Sequence, residues 1–173
     1  MSLEMTKSLK VALAHLYYRE ACDQKGWACV ALESINIHDN VIGFAKGAHT
    51  ISIRLPAQIV AEIKQVSKLG TKNKSVFDYL ACKVSQKEKY EGVMVANPTA
   101  LSWVQVKTGK GEFSDKEIDA LEKIKMPLTL FYIRDVLAQP RQVELKWDIR
   151  TSDEWLDELD DKRDQAESDD DFL

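Results

Sequence analysis

No run of apolar residues in this 173-residue chain is long enough to cross a bilayer, so a helical membrane protein is excluded. The basic-then-apolar order of a secretory signal is also missing, because Leu9 to Leu16 is interrupted by Lys10 and His15 and followed by charge. Cysteine is scarce: Cys22, Cys29 and Cys82 are odd in number and lack paired spacing. That excludes a disulfide framework and fits free thiols packed as small hydrophobes in a reducing compartment, so a cytoplasmic location is expected. No second cysteine or histidine stands at zinc-ligand spacing from any of them. The three histidines, His15, His38 and His49, are scattered. There is no internal repeat, and biased composition is confined to the C-terminal end.

What is present is the composition of an ordinary globular domain, 45% hydrophobic and 30% charged, at about one domain's length. The net charge of −4 conceals an asymmetry. Residues 151–173 hold eleven acids against Lys162 and Arg163, while residues 1–150 hold 22 basic and 17 acidic residues. The expected organisation is an α/β domain over 1–150 and a disordered acidic tail over 151–173, since a run of like charges repels itself. A basic body suits a polyanionic partner such as DNA.

Apolar spacing predicts a helix from Glu4 to Gln24, stopped at Gly26, and then a short buried strand from Trp27 to Glu33. Val41 to Phe44 and Thr50 to Leu55 flank Lys46-Gly47 as a hairpin, and Ile59, Val60, Ile63 and Val66 follow Pro56 at helical spacing. This hairpin-plus-helix, about 35–70, reads as an insertion. Three β-like runs follow, Val76 to Val84, Glu91 to Ala96 and Leu101 to Lys107, with Asn97-Pro98-Thr99 as the clearest turn. Ser114 and Glu117 have capping-box spacing before a helix carrying Ile118, Leu121 and Ile124. Pro127 ends it, Leu128 to Ile133 is a further buried strand, and a last strand is expected from Gln142 to Trp147.

Two features of these strands are unusual. Asp78 interrupts an apolar run, and Gln105 and Lys107, two apart, point to the same face of theirs. A lysine facing a core is costly unless it meets an anion. A carboxylate, an amide oxygen and an ammonium meeting at one edge of a sheet would satisfy one another, and the oxygens would suit Mg²⁺. Read singly, the same residues also fit a strand-end aspartate and an ordinary solvent-facing strand.

Asp78, then Trp103-Val104-Gln105-Val106-Lys107-Thr108-Gly109-Lys110-Gly111, then the capped helix and the strand at Leu128, resembles the PD-(D/E)xK superfamily. That superfamily includes restriction endonucleases, archaeal Holliday-junction resolvases and VRR-type nucleases. The resemblance spans roughly residues 8–133 outside the insertion. It implies a restriction-endonuclease-like core, a mixed central sheet flanked by helices in αβββαβ order, and metal-dependent hydrolysis of DNA phosphodiester bonds with Mg²⁺ or Mn²⁺. Carried over, Asp78 is a metal ligand, Gln105 a second through its amide oxygen and the Val106 carbonyl a third, with Lys107 facing the attacked phosphate. Gln105 departs from the usual Glu or Asp, although Mrr-like and TnsA-type nucleases also have glutamine there. Glu91 lies nearer the family's spacing and is the substitute for Asp78. Glu20, or else Glu33, would be the acid of the first helix.

Lys72, Lys74, Lys83, Lys110 and Lys116 are the expected phosphate contacts, with Lys87 and Lys89 further candidates. No recognition-helix signature is present, which favours a structure-selective or partner-directed endonuclease. The alternative is a catalytically inactive DNA-binding or assembly protein of the same fold. A homodimer would be consistent with the family, with the insertion as interface. The tail ends Asp169-Asp170-Asp171-Phe172-Leu173, which resembles the acidic tips by which single-stranded-DNA-binding proteins recruit partners.

Overall fold

The computed structural model describes residues 6–71, 74–90, 92–109, 111–134 and 144–170. They form a mixed α/β fold: α1 (Lys7–Gln24), β1 (Ala28–Ala31), β2 (Val41–Lys46), β3 (His49–Arg54), α2 (Ala57–Ser67), β4 (Tyr79–Tyr90), β5 (Val93–Thr108), α3 (Asp115–Leu121), β6 (Leu128–Arg134), β7 (Glu144–Arg150) and α4 (Ser152–Asp170). A 3-10 turn, Leu32–Ser34, follows β1. The strands make one sheet in the order β3-β2-β1-β4-β5-β6-β7. All neighbouring pairs are antiparallel except β5 with β6, whose parallel pairing runs from Trp103↔Leu128 to Thr108↔Ile133. A crossover helix is what such a parallel step requires, and α3 supplies it.

The expected insertion is built into the sheet. β3 meets β5 through a parallel Ile53↔Ala96 bridge, so β1, β2, β3, β5 and β4 close into a five-stranded barrel. Ile42, Phe44, Ile51 and Ile53 of its hairpin and Val60, Ile63 and Val66 of α2 share one buried cluster with Leu80, Trp103 and Leu128. Their apolar faces are thus covered by the core itself.

The turn expected at Asn97-Pro98-Thr99 is not one. β5 runs unbroken through it, and the β4–β5 ladder absorbs the proline through register shifts between Lys83 and Val84 and between Val84 and Lys87. A proline cannot donate to a ladder, and a bulge is where a strand tolerates it. The long β4–β5 ribbon then bends toward β3, which allows the barrel to close.

The other face of the sheet carries α1. Ala14, Tyr18 and Cys22, one helical turn apart, pack against Tyr79, Ala81, Val104, Val106, Phe131 and Ile133. Leu9 and Leu16, from the apolar spacing that predicts the helix, are about half exposed (49% and 58%). All three cysteines are free and buried. No helix among the described residues is long and apolar enough to cross a membrane.

The tail corrects the expectation of disorder, because residues 152–170 are helical. Trp155 is 3% exposed, its indole N–H donates to the Leu128 carbonyl at 2.9 Å, and its ring meets Phe113 edge-on at 5.5 Å. Leu156 and Leu159 pack beside it. Thr151 and Glu154 exchange hydrogen bonds (Glu154 N to Thr151 Oγ1, 3.3 Å; Thr151 N to Glu154 Oε2, 2.8 Å), which closes the helix start. Arg150 ties the helix to β7 through Glu158. Burial of one tryptophan and a capped start outweigh the repulsion among acids that face water.

α3 starts as the sequence predicts. Ser114 Oγ accepts from Glu117 N at 3.3 Å while Glu117 Oε2 accepts from Ser114 N at 3.2 Å. Replacing Ser114 by Ala is expected to cost about 1 kcal/mol in urea unfolding, with an unchanged denaturant slope.

Candidate active site

A cleft of ≈ 910 Å³ opens where β4 begins and β5 ends, lined on one side by α1 and on the other by α3. Asp78, Gln105, Val106 and Lys107 all line it. Strand register is the cause. Tyr79 pairs with Val104, the outermost pair of the β4–β5 register at this end, and just before it the Asp78 N–H reaches the Val104 carbonyl. Period-2 alternation turns Trp103, Gln105 and Lys107 away from α1, while Val104 and Val106 pack against it.

Asp78 is anchored through its carboxylate. Oδ2 accepts from Val106 N at 2.8 Å, and its own backbone N–H donates to the Val104 carbonyl at 2.9 Å. Burial raises the carboxyl above its ordinary pKa; the Val106 N–H, His15 and Lys74 oppose that rise, and Glu117 adds to it. A carboxyl whose folded-state pKa is raised binds more protons folded than unfolded. Stability is therefore lost as pH climbs from the ordinary carboxylate value through the raised one. Asp78→Asn, which keeps an acceptor for Val106, is expected to be more stable than the wild type at neutral pH. Thermal unfolding across the acid range should show the difference vanish at low pH; an Asn variant less stable at pH 7 would contradict the assignment.

Gln105 is 7% exposed, and its Oε1 has no hydrogen-bond partner. Among the described residues two other buried side-chain atoms share that condition, Tyr18 Oη and Trp103 Nε1, but neither residue lines the cleft. An unmade hydrogen bond on a buried carbonyl oxygen costs about 1–3 kcal/mol, which makes this atom a candidate ligand.

Lys107 meets an anion, and that anion is Glu117. Nζ to Oε1 is 2.6 Å, with side-chain exposures of 17% and 9%. The same carboxylate caps α3 with its other oxygen, so the capping box fixes the lysine as well as the helix. Sequence reasoning assigned Glu117 only the cap. The available signal was a lysine on a buried strand followed by a carboxylate in the first turn of the next helix.

Of the remaining candidates, Glu33 lines the cleft, and Glu20 does not: it is exposed on α1, within 3.5 Å of Gln24. Val106 meets Asp78 through its backbone N–H. Glu91, Lys72 and Lys110 lie outside the described residues. Lys74 lines the cleft, and Lys116 lines a neighbouring depression that shares Lys74 and Glu117 with it. Lys83 is elsewhere, its ammonium 5.4 Å from the Trp27 ring. Lys7, His15 and Arg19 of α1 also line the cleft, a group that composition did not single out. His15 Nδ1 is 2.9 Å from the Tyr79 hydroxyl. The lining thus has Lys7, Arg19, Lys74 and Lys107 against Glu33, Asp78 and Glu117.

Among the described residues no group of three or more His, Cys, Asp or Glu could hold a metal ion. The oxygens at hand are one anchored carboxylate and one neutral amide. Such hard donors suit a Mg²⁺ that keeps most of its waters, with less charge to hold it than two carboxylates would give.

No family model and no curated protein matches the sequence, and no solved structure matches the fold.

Proposed function

We propose that this cleft hydrolyses phosphodiester bonds in DNA with a divalent metal, as an endonuclease with a restriction-endonuclease-like core. The observation that carries the reading is the buried, unpartnered oxygen of Gln105, a residue that lines one cleft with Asp78 and Lys107. Fold order supports it. With the β2–β3 hairpin and α2 set aside, the chain runs α1, β1, β4, β5, α3, β6, the αβββαβ order that the resemblance implies. Asp78 and Gln105 would hold Mg²⁺ or Mn²⁺, which when bound lowers the pKa of a ligated water and neutralises charge developing on the phosphate.

The chain's own residues have separate tasks. The Val106 N–H fixes the Asp78 carboxylate, and Glu117 holds the Lys107 ammonium in place until a phosphate competes for it. Lys107 then donates hydrogen bonds to the phosphate oxygens as charge builds there. Lys7, Arg19 and Lys74 draw the backbone of the nucleic acid into the cleft, a salt-dependent contribution without sequence preference. The sequence carries no recognition-helix signature, which supports a structure-selective or partner-directed enzyme.

Incubating the protein with branched, single-stranded and linear DNA in Mg²⁺ or Mn²⁺ tests the reading. Cleavage that a chelator abolishes is expected. Binding without cleavage of any substrate would support the inactive DNA-binding alternative, for which the neutral Gln105 is the specific argument.

A further inference from the structure

β7 is the last strand of the sheet order, and its outer side has no strand partner among the described residues. It is a regular edge. It pairs with β6 over seven consecutive positions, Leu128↔Arg150 to Arg134↔Glu144, without a register shift. Edge strands in natural proteins are normally blunted by bulges, prolines or charged side chains such as lysine, because an open ladder recruits another strand; the β7 charges Lys146 and Arg150 are both paired with Asp148 of the same strand. β7 has no bulge and no proline, and on the α1 side it exposes Leu145 (48%) and Ile149 (41%) around Trp147, which stacks on Tyr18.

The order of side chains along β7, Glu-Leu-Lys-Trp-Asp-Ile-Arg, is self-complementary about its centre. Two copies set antiparallel on a dyad through Trp147 place Leu145 opposite Ile149 and Lys146 opposite Asp148. The outermost register positions are Glu144 and Arg150. Shifting the dyad by one residue is penalised on either side: centred on Lys146 it opposes two lysines, and centred on Asp148 it opposes two aspartates and sets Lys146 against Arg150. Cross-strand pairs of opposite charge stabilise a sheet, and like charges directly opposite destabilise it.

We propose that β7 pairs with β7 of a second copy of this chain, antiparallel about Trp147, to make a two-fold dimer with one continuous sheet. The surface is isologous, as a closed dimer requires. Leu145, Trp147 and Ile149 of the two copies form one apolar strip beside the two α1 helices, and Lys146 and Asp148 alternate across the seam on the α4 side. The barrel hairpin takes no part, its apolar side chains being already buried. The pairing does not depend on what the cleft does.

Charge exchange tests this on the full-length protein by sedimentation. The wild type is expected to dimerise with a concentration-dependent equilibrium. Lys146→Asp alone, or Asp148→Lys alone, sets like charges across the seam and should weaken dimerisation about tenfold or more. An equimolar mixture of the two variants sets opposite charges across both contacts and should give a one-to-one heterodimer; a chain that had merely failed to fold would not be rescued by mixing. A wild type that stays monomeric at the highest attainable concentration would overturn the proposal. So would a dimer indifferent to the single exchanges, or variants that do not recombine.

Discussion

Lys107→Ala is expected to lower metal-dependent DNA cleavage about 10²–10³-fold, the effect of removing one positioned donor from a developing oxyanion. DNA binding should change far less, because Lys7, Arg19 and Lys74 remain in the cleft. Fold stability should also fall, by about 3–5 kcal/mol: Lys107 and Glu117 are both largely buried, so removing the lysine leaves the Glu117 carboxylate with only its cap bond to Ser114. Single-turnover cleavage together with DNA affinity on the same sample separates the roles. Cleavage equal to wild type would remove Lys107 from the chemistry, and a parallel loss of binding and cleavage would make it a docking contact.

Trp155→Ala is the second large effect, with an expected loss of about 3–5 kcal/mol. The ring sits in the main core with Leu128, its N–H satisfies the Leu128 carbonyl, and Arg150 lies over the ring at 4.7 Å. Removing it opens a cavity and leaves a strand carbonyl without its side-chain donor, so urea unfolding should shift strongly toward lower concentration. A cost below about 1 kcal/mol would mean that α4 is not docked. Residues 160–168 of α4 are exposed and net acidic, so deleting residues beyond Leu159 should cost little stability, and any lost partner recruitment would then report on the acidic surface itself.

Where side-chain period and burial agree, the sequence was readable. β6 is apolar but for Thr129 and its last residue Arg134 and lies between two neighbours; α3 begins at a capping box with both hydrogen bonds made; Asp78, Gln105 and Lys107 stand out because each is polar in an apolar strand. β5 was divided into two runs because Pro98 ordinarily ends a strand, and only the pairing with β4 shows that a bulge accommodates it. α4 was lost under its charge, although Thr151-Ser152-Asp153-Glu154 carries the same capping signal as Ser114 to Glu117, and Trp155 follows at once. α1 was found, but its buried face was not. Tyr18 and Cys22 face the sheet, while Val11, Ala12 and Leu16 line the cleft, so the apolar spacing mixed two surfaces. The barrel was out of reach of any local signal, since Ile53 and Ala96 are joined only by the completed fold.

Glu117 shows the same limit inside the site. Its role as cap is local and was visible, while its contact with Lys107 depends on how α3 docks against β5. Gln105 is the reverse case: its neutrality was evident in sequence, and the structure adds that its oxygen is buried and unmatched.

Metal binding by Asp78 and Gln105 is tested most directly by titrating Mn²⁺ into the protein and following the free-ion signal by electron paramagnetic resonance. The wild type is predicted to hold one weakly bound ion, Asp78→Asn to lose it, and Gln105→Glu, which adds a negative charge at the unpartnered oxygen, to bind it more tightly. A wild type that takes up no Mn²⁺, or uptake that neither substitution changes, would contradict a metal centre in this cleft.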